Sequence, residues 1–204
     1  MARKTKEDAF ITRQRIINVA IREFSTQGFS STSLADIASA AGVTRGAIYW
    51  HFKNKEELFN EIWQQSAHYS LYISEKIHSK NKDNPLKALQ ETLTYILRAA
   101  VSDPQQKSLM KIMFHQCEFT KEMTSRSEIR RMVYFEEERL SNNLKRCVTL
   151  NQLPSKLNIE QSVIIIRAYM SGLIENWLLC SENYDLNSNA SGLVDNLITL
   201  LKIQ

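Results

Sequence analysis

The sequence predicts an all-α protein, a small N-terminal three-helix unit followed by a larger helical one, and three observations carry that expectation. Apolar residues recur at helical spacing along nearly the whole chain, with no alternating stretch of strand length. Residues that cap helices stand at the breaks between these stripes. Only 5 glycines and 3 prolines occur in 204 residues, too few for a turn-rich β architecture. The 43% hydrophobic and 24% charged fractions belong to a soluble globular chain able to bury a full core.

Taken in order, residues 8 to 26 set Ile11, Ile16, Val19, Ala20 and Phe24 on one stripe with bases opposite, and Gly28 closes that helix. Ser33 then caps a short helix, with Asp36 at the third position and Leu34, Ile37, Ala38 and Ala41 on the inner face. Gly42 supplies a tight turn. Thr44 caps a second short helix over 45–51, with Val43, Ile48 and Phe52 inward, and Asn54 with Glu57 opens a longer one over 55–79. Two short helices joined by a glycine turn after a supporting helix make a helix-turn-helix. Further helices are predicted over 85–101, 105–119, 124–150, 158–181 and 190–203, with breaks at Pro154 and along 181–191. The domain boundary is expected after residue 54, leaving 55–204 as the second domain.

Several function classes drop out. The start, MARKTKEDAF, is basic but leads into no apolar run of signal-peptide length. The apolar stretch from Ser162 to Cys180 is interrupted by Arg167, Glu175 and Asn176, which fits a buried helix rather than a membrane span. Three distant cysteines, Cys117, Cys147 and Cys180, suit a reducing cytoplasm better than a disulfide framework. His115 and Cys117, two residues apart, point about 200° apart on a helix and make a poor ligand pair. With no nucleophile array, phosphate loop or metal spacing, neither an enzyme nor a cofactor or metal site is expected.

The charge distribution points to a partner. Residues 1 to 55 hold nine bases against four acids, a balance of +5, whereas the remaining residues sum to −1. A polyanion is therefore drawn to the first quarter of the chain. There the segment GVTRGAIYWHF, residues 42 to 52, joins a turn glycine to an arginine, a second glycine and several rings. On the second helix of a helix-turn-helix, Arg45 stands where its planar fork can read a guanine, and Ala47 can lie against a thymine methyl. Gly46 costs about 1 kcal/mol of helix propensity relative to alanine, which makes sense where the backbone must approach DNA. Tyr49, Trp50, His51 and Lys55 then supply contacts to the sugar-phosphate chain. Lys53 reads as a solvated charge, and Arg3, Lys4 and Lys6 fit either a groove contact or a loose tail.

The first 65 or so positions resemble the TetR family of bacterial transcriptional regulators. The likeness rests on a first helix ending in FSTQGF, then TSLADIASAAGVT and RGAIYWHFKNKEELF, with the long composite spacing IAxxAGVxxGxxYxHFxxKxxL. Carried over residue by residue, it implies DNA contacts at Ser33, Thr44, Arg45, Gly46, Ala47, Tyr49, Trp50, His51 and Lys55. Beyond that module, MKIMFHQCEF and SGLIENWL are similar to the AcrR-type multidrug efflux pump repressors within the family.

Two tasks are expected of the second domain. Residues 163 to 180 are apolar almost all round, as suits a helix facing both its own core and a partner, so a homodimer is expected through Ile166, Met170, Leu173, Ile174, Leu197 and Leu200. Aromatic and sulfur side chains exceed what a minimal core needs: Trp63, Met110, Met113, Phe114, Met132 and Trp177, with Tyr69, Tyr72, Phe119 and Tyr134 as further candidates. Glu118 is the first polar candidate for a lipophilic cation, alongside Glu122, Glu175 and Asn176. The expected function is a cytoplasmic repressor that binds a palindromic operator as a dimer, controls an efflux operon linked to antibiotic resistance, and leaves DNA when a toxic lipophile binds. Alternatives are a metabolite-responsive regulator of another pathway and a ligand-blind DNA-binding protein.

Overall fold

The computed structural model describes residues 6–134 and 136–203. Arg3 and Lys4, and the side chain of Tyr134, fall outside what it describes. In chain order the helices are α1 (Lys6–Gln27), α2 (Leu34–Ala40), α3 (Arg45–His51), α4 (Lys55–Lys80), α5 (Pro85–Ser102), α6 (Pro104–Phe114), α7 (Arg126–Ile129), a π-helical turn (Arg130–Tyr134), α8 (Glu137–Thr149), α9 (Ile159–Leu179) and α10 (Leu186–Lys202). No strand occurs among the described residues.

The chain forms two compact units. The first takes residues up to Ser66 together with Gln105–Arg126. Its core joins Ile16, Ala20 and Phe24 of α1 to Phe29, Ile37, Ile48, Phe52, Leu58, Phe59, Ile62 and Trp63, all buried. Phe29 stacks against Phe24 at 5.1 Å and meets Phe59 edge-on at 5.3 Å. Each such ring contributes about 1.5–3 kcal/mol by leaving water. Because Leu58, Phe59, Ile62 and Trp63 enter this core, the packing boundary on α4 falls after Ser66, inside the region expected to open the second domain. One expectation fails on α1: Ile11 is 57% exposed rather than inward, because the buried stripe passes through Thr12, Ile16, Ile17 and Val19 instead.

The expected helix 105–119 stops at Phe114. There the Gln116 carbonyl leaves the helix ladder and accepts the Phe29 N–H at 2.9 Å, a tertiary bond that no local pattern announces. The following chain is clipped to α4 by Asn60, whose Nδ2 donates to the Glu122 carbonyl at 3.0 Å while its Oδ1 accepts the Thr124 N–H at 2.7 Å.

The second unit comprises Ala67–Pro104 and Ser127 onward. α5 packs against α8, α9 and α10, burying Ala88, Leu89, Leu93, Leu97, Ala99 and Ala100. α10 begins at Leu186, earlier than predicted, because Asp185 accepts the Ser188 N–H at 3.0 Å and caps it. The segment 124–150, expected as one helix, is interrupted by the π-helical turn. Arg130 on that turn donates from Nη2 to Ser171 Oγ of α9 at 2.8 Å, so the register shift serves a contact far away in sequence. α9 is long and apolar enough to cross a membrane. Here it packs Val163, Ile166, Met170, Ile174 and Trp177 into the core.

Candidate nucleic-acid interface

The helix-turn-helix is built as its caps dictate. Ser33 Oγ accepts the Asp36 N–H at 3.2 Å, and the Asp36 carboxylate accepts from both Ser33 N, at 2.9 Å, and Ser33 Oγ, at 2.6 Å. These bonds hold the Asp36 carboxyl below the usual aspartate range. The Ser33 hydroxyl, expected to meet DNA, is therefore already engaged at both its donor and its acceptor. Gly42 turns the chain at φ +63°, in the left-handed region where glycine is at ease. Thr44 then caps α3 by accepting the Ala47 N–H at 3.1 Å, which leaves its own O–H to donate outward.

α3 divides cleanly into two faces. Ile48 and the capping Phe52 are buried, and Ala47 and His51 half-buried, whereas Thr44, Arg45, Gly46, Tyr49 and Trp50 are exposed. Trp50 is 73% exposed and Tyr49 56%, with the Trp50 ring edge-on to His51 at 4.6 Å, an exposed aromatic edge beside an arginine. A Cβ placed on Gly46 meets nothing nearer than the Thr44 hydroxyl at 4.0 Å, so the protein's own packing does not call for glycine there.

Two cations anchor this face from behind. Arg13 of α1 donates from Nη1 to Glu61 Oε1 at 2.7 Å, and its guanidinium sits 4.8 Å from the Phe52 ring centroid. That hydrogen bond, ahead of the opposing effect of burial, raises the arginine's pKa further. Lys55 Nζ donates to the carbonyls of Phe29 at 2.6 Å, Thr32 at 2.8 Å and Ser30 at 3.4 Å. Its three N–H donors are thus directed at the chain itself, clamping the start of α4 to the turn after α1. Arg13 carries no sequence signal of this kind; its partners lie 39 and 48 residues away.

Residues 16–62 match the profile of the bacterial regulatory proteins of the tetR family, and residues 84–203 match that of the MAATS-type transcriptional repressor C-terminal region. The chain belongs to the TetR family of transcriptional regulators. It is 44% identical over 98% of its length to the HTH-type transcriptional regulator AcrR of Shigella flexneri, covering 94% of that protein. It is 40% identical to the probable acrEF/envCD operon repressor of Escherichia coli K12, covering 98% of this chain and 91% of that one. Among solved structures, NalD, the secondary repressor of the MexAB-OprM multidrug efflux pump in Pseudomonas aeruginosa, is similar with a TM-score of 0.79 and 29% identity. The likeness covers 97% of this chain and 98% of NalD.

The remaining candidates of this TetR-family regulator are distributed unevenly. Trp63, Met110 and Met113 are buried, Phe114 is half-buried and Glu118 is exposed, all within the first unit. In the second unit Trp177 is buried, but Met132 reaches the surface. Glu122, Glu175 and Asn176 are exposed as well, so none of the four expected polar partners of a cation stands in the interior. The direction each one faces was set by packing. The sequence reading also passed over Ser66, Arg130 and Asn143, each with a buried side-chain atom that has no hydrogen-bond partner among the described residues.

The expected dimer contacts need a similar correction. Ile166, Met170, Ile174 and Leu197 are buried in the chain's own core, Leu173 is half-buried, and only Leu200 is exposed. The free apolar surface of α9 is instead Ile164, at 60%, and Leu179, at 68%, with Ile203 following α10. A helix that is apolar all round buries one stripe in its own core and leaves the opposite stripe exposed.

Proposed function

We propose that this regulator represses an efflux-pump operon, binding a palindromic operator as a homodimer and releasing it when a lipophilic compound binds. The observation that carries the DNA-reading part is the outer face of α3, where Arg45, Gly46, Tyr49 and Trp50 are exposed around a glycine that internal packing does not require. In this reading residues 1–54 read DNA, with Arg45 on a guanine edge, Ala47 against a thymine methyl, and Thr44, Tyr49, Trp50 and His51 on the backbone. Residues 55–204 bind the ligand and the second copy. Support for efflux control comes from the relatives, among them a probable operon repressor and NalD, a repressor of a multidrug efflux pump.

α4 suits the role of connecting element. Its first half is anchored by the buried Leu58, Phe59, Ile62, Trp63 and Ser66, whereas no residue from Ala67 to Lys80 is fully buried. A ligand that favours one tilt of this helix changes the separation of the two α3 helices in the dimer from the spacing of about 34–36 Å that successive major grooves demand. Occupancy of ligand and of operator are then linked reciprocally. Footprinting on genomic DNA, with anisotropy measured on the recovered site, tests the reading. Protected sites upstream of a transporter operon, with Arg45→Ala relaxing preference at one base pair per half-site, support it. Sites beside unrelated genes remove efflux control while leaving the regulator.

A further inference from the structure

In the first unit four large apolar side chains are exposed among the described residues: Tyr49 and Trp50 on α3, and Phe10 and Ile11 on α1. The first two belong to the DNA-reading face. The other two do not, and the exposed stripe of α9, offered to a second copy, lies in the other unit. A single exposed apolar residue is ordinary, but Phe10 and Ile11 are adjacent and 66% and 57% exposed. Arg13 of the same helix sits 4.8 Å from the ring centroid of Phe52, the C-cap of α3, so the pair stands beside the recognition helix.

Ile11 occupies the middle of a stripe. Asp8, Ile11, Arg15, Asn18 and Arg22 follow one another at three- and four-residue spacing, hence along one side of α1, and all are exposed. Thr12, Ile16, Val19 and Ala20 turn the other way, into the core. Charge is divided along this outer side. Glu7 and Asp8 lie one turn before Ile11 and Arg15 one turn after it. Neither Glu7 nor Arg15 enters an ion pair among the described residues, whereas Arg22 is held by Glu23. A stripe with acids before a central isoleucine and a base after it is complementary to its own reverse. When two copies of α1 lie antiparallel across a two-fold axis at Ile11, residues equally distant from Ile11 stand opposite each other. Glu7 and Asp8 of each copy then meet Arg15 of the other, and the two isoleucines meet on the axis. A parallel pairing sets like charge on like and is disfavoured.

We propose that this outer stripe of α1 is the contact between two dimers bound at neighbouring sites on one DNA, and that it makes their binding cooperative. The inference rests on the DNA-reading role of residues 1–54 and is independent of efflux control and of any ligand. Exposed ion pairs contribute little, and the patch is small beside the about 1,000 Å² that a lasting complex buries, so the contact does not hold in free solution. On DNA the two copies are held at high effective concentration, where a weak contact suffices.

The test uses the full chain and duplexes carrying one or two copies of the footprinted site, with the distance between two sites varied in single base pairs and occupancy read by quantitative mobility shift. The second dimer is expected to bind about tenfold tighter than the first where the contact forms, a gain that recurs every 10–10.5 base pairs or so and vanishes half a turn away. Ile11→Glu and Arg15→Glu, both at exposed positions, are each expected to abolish the gain. The exchange variant Glu7→Lys/Asp8→Lys/Arg15→Glu is expected to recover it. A gain that survives both single substitutions overturns the contact, because DNA deformation then carries the coupling. A folded exchange variant without recovery overturns the antiparallel pairing. Equal affinity of the two dimers at every spacing also overturns the inference, while intact binding to one site leaves the DNA-reading role standing. If Ile11→Glu weakens binding to one site as much as to two, the stripe acts within a single dimer and the inference fails. If the parent chain binds neither duplex, the DNA-reading role falls and this contact with it. The spacing series on the unaltered chain decides between cooperative and independent binding even where a variant fails to fold.

Discussion

Lys55 Nζ lies 2.6 Å from the carbonyl oxygen of Phe29 and 4.3 Å from the centroid of the same residue's ring. One ammonium thereby ties the start of α4 to the turn after α1, on which the helix-turn-helix rests. Lys55→Met is expected to lower stability by about 1.5–3 kcal/mol, the range for hydrogen bonds to charged groups. Operator affinity should fall with the slope of its salt dependence unchanged, since no phosphate contact is lost. Lys53, exposed beside it, is the better phosphate candidate, and Lys53→Met should reduce the slope by about 1 per subunit. Titrations across a salt series separate the two; a reduced slope for Lys55→Met shows that it leaves the carbonyls for DNA.

Gly46→Ala should separate stability from function. Its Cβ enters open space, so the free protein should gain up to about 1 kcal/mol from helix propensity, read as a higher melting temperature. Operator binding should weaken at the same time, because the added methyl stands on the DNA-facing side. An alanine variant that is more stable and binds undiminished shows that α3 does not bring its backbone close to DNA.

The Ser33–Asp36 capping box makes α2 sensitive to acid. Hydrogen bonds from the Ser33 side chain and backbone lower the folded-state pKa of Asp36 below its ordinary value. The bonds therefore favour the folded state fully above the unfolded aspartate pKa of about 3.9, and that advantage fades as pH falls through the lower folded value. Asp36→Asn should melt below the parent at neutral pH, with the gap closing below about pH 4. A gap that stays constant down to strong acid removes the carboxylate from the cap.

Self-association should depend on the outer stripe of α9. Ile164→Glu and Leu179→Glu are expected to convert the dimer to monomer in sedimentation velocity and to weaken operator binding together, without lowering helical content. Ile174→Glu places a charge in the chain's own core and should unfold it. A dimer that persists in the Ile164 and Leu179 variants places the interface elsewhere.

Most of the helices and the caps of the DNA-reading module were determined by the sequence alone. Ser33, Gly42 and Thr44 act within four residues of where they stand, and a capping bond or a positive φ is a local property. The alternation of Ile48 and Phe52 with Arg45, Tyr49 and Trp50 likewise settles which face of α3 turns outward. Tertiary structure alone decided the rest. Which stripe of the wholly apolar α9 is core and which is free depends on how α5 and α10 pack against it, so Ile166 and Ile174 went inside and Ile164 outside. The end of α6 and the π-helical turn were set by the bonds of Gln116 to Phe29 and of Arg130 to Ser171, each between residues far apart in sequence. The clamp made by Lys55 was decided in the same way. Carbonyls exposed by a turn 23 to 26 residues upstream lie within reach of its flexible ammonium, and no local pattern announces that pairing.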